Sequence, residues 1–259
     1  MLRRLTTITL LLAITTTVVI GQSSILPRES AYAPKGVIYN DEYAVNLTLH
    51  SNGLKIGFDK GTIKTYYKTN YYHFDIGFLR HPKEIRQSLN YQTTIDISNS
   101  YTYGKQNSFL LLRGGFGSKR YFSEKTKHKG VAVGINYEVG PTLGFTKPYY
   151  LIFAFRVDGE RQVREIKYSE ENADLFLDDT RIQGRAGFFK GFSELNVLPG
   201  IHGKFGTHFA LGAFEKYVTA MEAGIMVDVF FQEVPIMVIE NNRRLFLNVY
   251  LTLQLGKRN

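Results

Sequence analysis

A long apolar stripe marks the C-terminal segment, where every second residue from Leu245 to Leu255 is Leu or Val. The intervening positions are Phe246, Asn248, Tyr250, Thr252 and Gln254. Because successive side chains of a β-strand point to opposite faces, this pattern predicts a strand with one apolar face. The stripe is longer than a typical soluble strand of ~5–6 residues. It matches the ~9–11 residues that a tilted strand needs to cross a bilayer.

The same two-residue period recurs in the stretches 43–50, 71–78, 131–140 and 222–231. Small, polar or charged residues stand opposite each apolar face, as in the interior of a barrel. The composition agrees, because aromatic residues make up 14% of the chain while the mean hydropathy is only -0.17. We predict an all-β fold, an antiparallel transmembrane up-and-down β-barrel with long extracellular loops. A soluble secreted β-sandwich or periplasmic binding module, with shorter strands, is the alternative.

Residues 1–21 have the features of a secretory signal peptide. Two arginines near the start precede an apolar core, and small residues lie before the expected cleavage point. The core is shorter than the ~20 residues that a membrane-spanning helix needs. We predict cleavage near Gly21, an N-terminal periplasmic segment over 22–35 and an outer-membrane barrel over 36–259. The expected location is therefore the cell outer membrane.

The strand number follows from the order of short and long connections, because outer-membrane barrels have an even number of strands, short periplasmic turns and longer extracellular loops. Eight strands put the long connections 80–106, 147–190 and 232–244 on the outside. The predicted strands are 40–50, 54–67, 71–80, 107–117, 130–146, 193–212, 218–231 and 245–256. Ten strands are the alternative if 149–155 is a separate barrel strand and a further strand follows it, but its alternation predicts an extension of the preceding strand. A break in alternation at 59–61 predicts a β-bulge.

Charged residues on the inward faces predict an ionic network inside the barrel. An eight-stranded barrel is only wide enough for its own side chains, and buried charges need partners. The predicted network comprises Asp75, Arg113, Glu138 and Glu222, with Lys55, His73 and Asp228 sharing the interior. We expect carboxylates to hold Arg113 and the network to keep the barrel shut. A small-solute channel or a proton site is the alternative, and the strand number excludes a general diffusion porin.

Motifs for catalysis or cofactor binding are sparse. The chain has no Cys, which excludes disulfides, thiolate zinc sites and a catalytic thiol, and no two His have a helical metal-ligand spacing. We predict no enzyme and no catalytic, cofactor-binding or metal-binding residues. The enzymatic alternative is a lipid A-modifying enzyme at the rim, since His50 adjoins Ser51 and His81 ends a predicted strand. The glycines of 114–117 indicate curvature or room for a bulky interior neighbour.

The positive charge does not favour a nucleic-acid partner. The formal net charge of +9 includes the two arginines of the signal peptide, and 147–190 holds as many acidic as basic residues. This segment is predicted to be a mixed-charge loop with a short helix beginning after Ser169. The expected partners are outer-membrane lipid, lipopolysaccharide and other subunits of an outer-membrane secretion or assembly complex, with no nucleic acid.

The closing run LFLNVYLTLQLGKRN completes a pattern that resembles the small outer-membrane barrels of the outer-membrane protein A-like or X-like type, including the PorT-like barrels of the Bacteroidota. Similar stretches are Arg80–Glu84, Tyr101–Lys105 and Gly140–Leu151. The resemblance covers 36–256 and carries no catalytic motif. It implies a non-enzymatic integral outer-membrane barrel, structural or accessory to a larger complex, with partner-binding extracellular loops.

Overall fold

The computed structural model describes residues 39–87, 100–122, 131–157, 160–211, 216–238 and 242–259. These residues belong to one compact unit, Val37–Asn259. The predicted signal peptide, its cleavage point and the periplasmic segment over 22–35 lie outside the described residues. Within the described part of the chain, no helix is long and apolar enough to span a membrane.

The described chain is built almost entirely of strands. In order they are β1 (Asp41–His50), β2 (Gly53–Thr65), β3 (Lys68–Leu79), β4 (Arg86–Gln87), β5 (Tyr101–Thr102), β6 (Asn107–Tyr121), β7 (Ala132–Pro148), β8 (Tyr150–Val157), β9 (Glu160–Lys167), β10 (Ile182–Arg185), β11 (Asn196–Ala210), β12 (Tyr217–Val234) and β13 (Arg243–Arg258). One short helix, α1, spans Ala173–Phe176, and 3-10 turns cover Glu170–Asn172 and Phe192–Glu194. The helical turn predicted after Ser169 is thus present.

Eight of these strands close into an antiparallel barrel in the order β1-β13-β12-β11-β7-β6-β3-β2. The predicted eight-stranded, all-β fold is confirmed, and the ten-stranded alternative and the β-sandwich are not what the chain forms. The start of β1, the end of β13 and the strand ends that flank 66–67, 122–131 and 211–216 share one end of the barrel, here called the terminal end. The 51–52, 80–106, 149–195 and 235–242 connections share the other, here called the loop end.

Alternation along each strand separates an apolar outside from a polar inside. On β3, Phe74 is 53% exposed, whereas its neighbour Asp75 is fully buried. On β13, Leu251 is 46% exposed, whereas Thr252 is buried. Similar outward Leu, Ile, Val and Phe side chains occur on all eight strands and form the apolar belt. This distribution is the reverse of that in a soluble protein, whose apolar side chains are the most buried.

Two strands differ from their predicted course. The alternation of β2 continues through 59–61 with Asp59 inward, and the irregular pairing with β3 lies between Ile63 and Thr65 instead. The outward Lys60 at this point packs its ammonium 5.9 Å from the ring of Tyr43, which explains the apparent break in the apolar pattern. The predicted bulge at 59–61 is therefore wrong.

The second difference concerns β6. The sequence pattern predicts an end at 117, but β6 continues to Tyr121 and brings Lys119 into the interior. The predicted turn over 118–129 is correspondingly shorter. The signal for the longer strand is the inward period itself, which continues from Arg113 through Gly117 to Lys119.

The sequence predicts that 149–155 extends β7, and this prediction is wrong. The chain turns after Pro148, and β8 pairs with β9 and β10 in a separate sheet of order β10-β8-β9. This sheet has its own core of Leu151, Phe153, Phe176 and Ile182, joined by Tyr101 from β5. Residues 100–106 and 149–195, which form this unit at the loop end, are here called the platform.

Gly117 makes room for Tyr71, its cross-strand partner inside the barrel. A Cβ at Gly117 would lie 2.3 Å from Cζ of Tyr71, whereas a Cβ at Gly114 in the same run meets nothing closer than 3.9 Å. We expect Gly117→Ala to destabilise the barrel by about 1–3 kcal/mol through overpacking. Gly114→Ala, the matched control, should leave stability nearly unchanged. Urea titration followed by gel migration of unheated samples measures both, and equal effects would contradict this explanation.

Candidate functional site

The centre of the barrel is occupied by Arg113, which reaches across the interior from β6. Its Nε donates to Oδ1 of Asp228 at 2.7 Å and its Nη2 to Oδ2 of Asp228 at 2.9 Å. Its Nη1 donates to Oδ1 of Asp75 at 3.1 Å. All three side chains are fully buried. The guanidinium thus ties β6 to β12 by a bidentate pair and to β3 by a further bond.

Asp75 joins Arg113 to two more interior groups. Lys55 Nζ and His73 Nε2 each lie 2.7 Å from Oδ2 of Asp75. The other ring nitrogen of His73, Nδ1, lies 2.5 Å from Oδ1 of Asp59. An imidazolium has two N–H donors and would satisfy both of these carboxylates. The carboxylate of Asp75 thereby connects side chains of β2, β3 and β6, and Arg113 extends this connection to β12.

Glu138 and Glu222 lie in a neighbouring cluster around Lys204 of β11. Lys204 Nζ is 3.1 Å from Oε2 of Glu138 and 3.4 Å from Oε1 of Glu222. His73 Nε2, 3.7 Å from Oε1 of Glu138, links this cluster to Asp75. The four residues singled out from the sequence are all buried in the interior. Arg113 contacts Asp75 directly, and it is connected to Glu138 and Glu222 indirectly, through groups that include His73 and Lys204.

A third cluster lies towards the terminal end. Lys119 Nζ donates to Oε1 of Glu42 at 2.9 Å and to Oε1 of Gln254 at 2.8 Å. Arg258 Nη2 lies 2.8 Å from Oε2 of the same Glu42. Gln254 Nε2 then donates to Oδ2 of Asp59, so this cluster joins the one around His73. Sequence reasoning missed this cluster, although each of its members lies on the inward phase of its strand.

An apolar layer covers the polar network at the loop end. It contains Leu79, Phe109, Leu111, Leu198, Phe230, Val234 and Phe246 from the barrel strands, with Ile236 and Met237 from the β12–β13 connection. The rings of Phe109, Phe230 and Phe246 pack with centroids 5.1 to 6.3 Å apart. This layer, here called the apolar plug, separates the charged interior from the platform. Polar and charged side chains therefore fill most of the interior between this plug and a small cluster of Tyr121, Ala132, Ala210 and Ala220 at the terminal end.

His73, Asp75 and Glu138 have the donor types of a metal centre, and their ligand atoms lie within 4.8 Å of one another. The donors are already engaged, however, because Lys55 and Arg113 occupy the two oxygens of Asp75. A divalent cation at this point would also face those two positive charges at close range. The chemistry of the group therefore fits an ion-pair network rather than a metal site.

His50, Ser51 and His81 line one cavity of about 830 Å³ beside the β1–β2 turn. The sequence proposed these residues as candidates for rim catalysis, and the structure does bring them to one place. The hydroxyl of Ser51, however, donates to Oδ1 of Asn248 at 3.2 Å and not to an imidazole. A nucleophile activated by a neighbouring base needs that hydrogen bond. The cavity thus has the residue types of a hydrolase without its geometry.

A scan against models of known protein families finds no match for this chain, and a search of curated proteins finds none either. Among solved structures, the crystal structure of Neisserial surface protein A aligns with 85% of this chain and 97% of that chain. The identity is 6% and the TM-score is 0.39. A similarity with this identity and TM-score supports no inference about function. The resemblance to outer-membrane protein A-like, X-like or PorT-like barrels stays a prediction, while the barrel architecture that it implied is confirmed.

Proposed function

We propose that this chain is a non-enzymatic integral outer-membrane barrel that does not conduct solutes and presents the platform to another protein of the cell envelope. The observation that carries this proposal is the platform. A connection between two barrel strands needs only a few residues, yet 149–195 folds into a sheet with its own buried core. Loops positioned by a rigid scaffold commonly carry binding surfaces.

The apolar belt supports the membrane location. Leu, Ile, Val and Phe side chains alternate along all eight strands with their apolar groups outward. Such a surface is favourable in contact with lipid and unfavourable in water. A closed barrel also leaves no strand edge unpaired within the bilayer. The loop end would face the outside, because it carries the two longest connections, 80–106 and 149–195, while the start of β1 and the end of β13 lie at the other end. Membrane lipid and lipopolysaccharide are the surroundings expected for this arrangement.

The filled interior argues against a small-solute channel. The inward side chains of the three charged clusters are buried, and the apolar plug covers them at the loop end. A permeating ion would have to displace Arg113 from two carboxylates and then cross the rings of Phe109 and Phe230. Ion pairs with this many partners strongly resist rearrangement, because removing one group leaves the others buried without compensation. A structural role for the network follows from the same geometry.

A rim-located lipid A-modifying enzyme is the less favoured proposal. The cavity lined by His50, Ser51 and His81 supplies suitable residue types beside the apolar belt. Its Ser hydroxyl is committed to Asn248, so no nucleophile–base pair is formed. The non-enzymatic proposal explains both the platform and the charged interior.

Photo-crosslinking from the platform tests the proposal. Val163 on β9 is 54% exposed, and Tyr72 on β3 is an exposed member of the apolar belt that serves as the control position. We expect Val163→p-benzoylphenylalanine to give one adduct of defined mass in the native envelope, and Tyr72→p-benzoylphenylalanine to give none with protein. Mass spectrometry identifies the partner, and a reciprocal crosslink from it should return this chain. A monomer without adducts after extraction in mild detergent would refute the partner-binding role.

A further inference from the structure

A second cavity, of about 290 Å³, opens between the outer rim of the barrel and the platform. Its walls come from the end of β3, the 80–86 segment, β5, the start of β6, the end of β7 and the residues that follow β10. It is here called the basic cavity. Its volume is close to the lower limit of ~300 Å³ for small-molecule sites.

The basic cavity contains far more positive than negative charge. Its cationic lining residues are Arg80, Arg86, Lys105, Lys147 and Arg185, and its carboxylate is Glu84. Glu84 Oε2 accepts from Lys105 Nζ at 2.7 Å. Within the described part of the chain, no ion pair involves Arg80, Arg86 or Arg185.

The charges elsewhere on the platform are arranged differently. Lys167 pairs with Glu194, and Lys190 Nζ lies 2.8 Å from Oε2 of Glu165. Glu165 and Glu194 thus pair with lysines outside the cavity, while the cations of the basic cavity lie together. Burial lowers the pKa of Lys105, Glu84 opposes this shift, and Arg80 and Arg86 add to it. An anion entering the cavity would relieve this repulsion.

The cavity also reaches the apolar belt. Phe78 and Leu110, both in its lining, are outward-facing side chains of β3 and β6. Phe188, on the opposite wall, stacks edge-on with Phe189 at 5.5 Å and with Phe192 at 5.6 Å. Phe189 is 82% exposed. An exposed aromatic group beside an apolar belt is suited to the boundary between lipid chains and headgroups.

We propose that the basic cavity binds the phosphate-bearing headgroup of a membrane lipid in the adjoining leaflet. The planar forks of Arg80, Arg86 and Arg185 match the geometry of phosphate oxygens, which guanidinium groups bind in bidentate fashion. The acyl chains of the same molecule would lie along Phe78 and Leu110. A free phosphate would use the cations but not these apolar walls. The site does not depend on the proposed protein partner, whose surface is the outer face of the platform.

Native mass spectrometry of the full chain in mild detergent tests this site. The probes are dihexanoyl phosphatidic acid, dihexanoyl phosphatidylcholine and inorganic phosphate, each titrated separately. The test variant is Arg80→Gln/Arg86→Gln/Arg185→Gln. The matched control is Arg156→Gln/Arg243→Gln/Arg244→Gln, which removes three exposed arginines of the loop end outside the cavity. Heat-modifiable gel migration verifies that both variants are folded.

We expect phosphatidic acid to bind the unaltered chain saturably and at least tenfold more tightly than phosphatidylcholine. The test variant should weaken this binding at least tenfold, and the control variant less than twofold. Equal losses in both variants would overturn the site, because bulk charge would then explain the binding. Inorganic phosphate binding as tightly as phosphatidic acid would overturn the assignment to a lipid. If the test variant does not fold, the single variant Arg86→Gln, altered in an exposed side chain, replaces it with an expected threefold loss.

Discussion

Replacing Arg113 with Met should destabilise the barrel by about 3–5 kcal/mol, the cost of leaving a buried ion pair without one partner. The substitution keeps most of the side-chain volume but removes the three hydrogen bonds that Arg113 donates to Asp75 and Asp228, which are fully buried. Neither carboxylate can reach water without rearranging the interior. Because the chain has no Trp, unfolding in urea is followed by circular dichroism and by gel migration of unheated samples.

Two further variants make this result specific. Arg120→Met alters an exposed residue of the same strand, whose guanidinium lies 5.8 Å from the ring of Tyr137, and should cost less than about 1 kcal/mol. Arg113→Met/Asp228→Asn also removes the charge of the carboxylate that Arg113 holds by two hydrogen bonds, whereas Asp75 keeps Lys55 and His73, and should recover part of the lost stability. If Arg113→Met and Arg120→Met had similar effects, the interior network would not be a determinant of stability.

Introducing Arg at Leu251 should prevent stable membrane insertion. Leu251 lies near the middle of the outward positions of β13, between Leu49 of β1 and Ala223 of β12. An Arg on the lipid face of a barrel costs about 2–4 kcal/mol at the bilayer midplane. The measurement is the fraction of chain that resists carbonate extraction from membranes and shows heat-modifiable migration. A soluble protein would tolerate an extra surface Arg.

Position along the strand provides the control. Tyr217 is 67% exposed at the terminal end of β12, opposite Lys257. Tyr217→Arg should therefore cost about 0–1 kcal/mol, the value for the interface. A strong defect for Leu251→Arg with a weak one for Tyr217→Arg is the expected pair of results. Normal insertion of Leu251→Arg would count directly against the membrane location.

The barrel could be predicted from the sequence because one local rule governs every strand. Each strand has one face towards the barrel interior and one face towards the outside, so a two-residue period reports the face on which each residue lies. That rule gives the inward orientation of Asp75, Arg113, Glu138 and Glu222. It also holds for Lys119, which lies beyond the predicted end of its strand, and for Lys204, which lies opposite a long apolar face. It cannot tell which inward residues meet, since that depends on register and strand tilt.

The platform and the basic cavity were beyond the reach of periodicity. The cavity combines side chains from segments as distant as Arg80 and Arg185, and only folding of the intervening loops brings them together. The balance of charges over 147–190 concealed this grouping, because composition counts charges without their positions. Likewise, 149–155 has the alternation of a barrel strand, and the sequence alone does not show that the chain turns after Pro148 to start another sheet.

The contact between β1 and β13 sets the order in which this protein can assemble. Glu42 and Arg258 are 216 positions apart, yet Arg258 and Lys119 share the carboxylate of Glu42. Until β13 docks, β1 and β12 are open edges that invite pairing with other chains. Contacts this distant in sequence form slowly. The nascent polypeptide therefore needs protection from aggregation up to its last strand, and the sealing step comes at the end of folding.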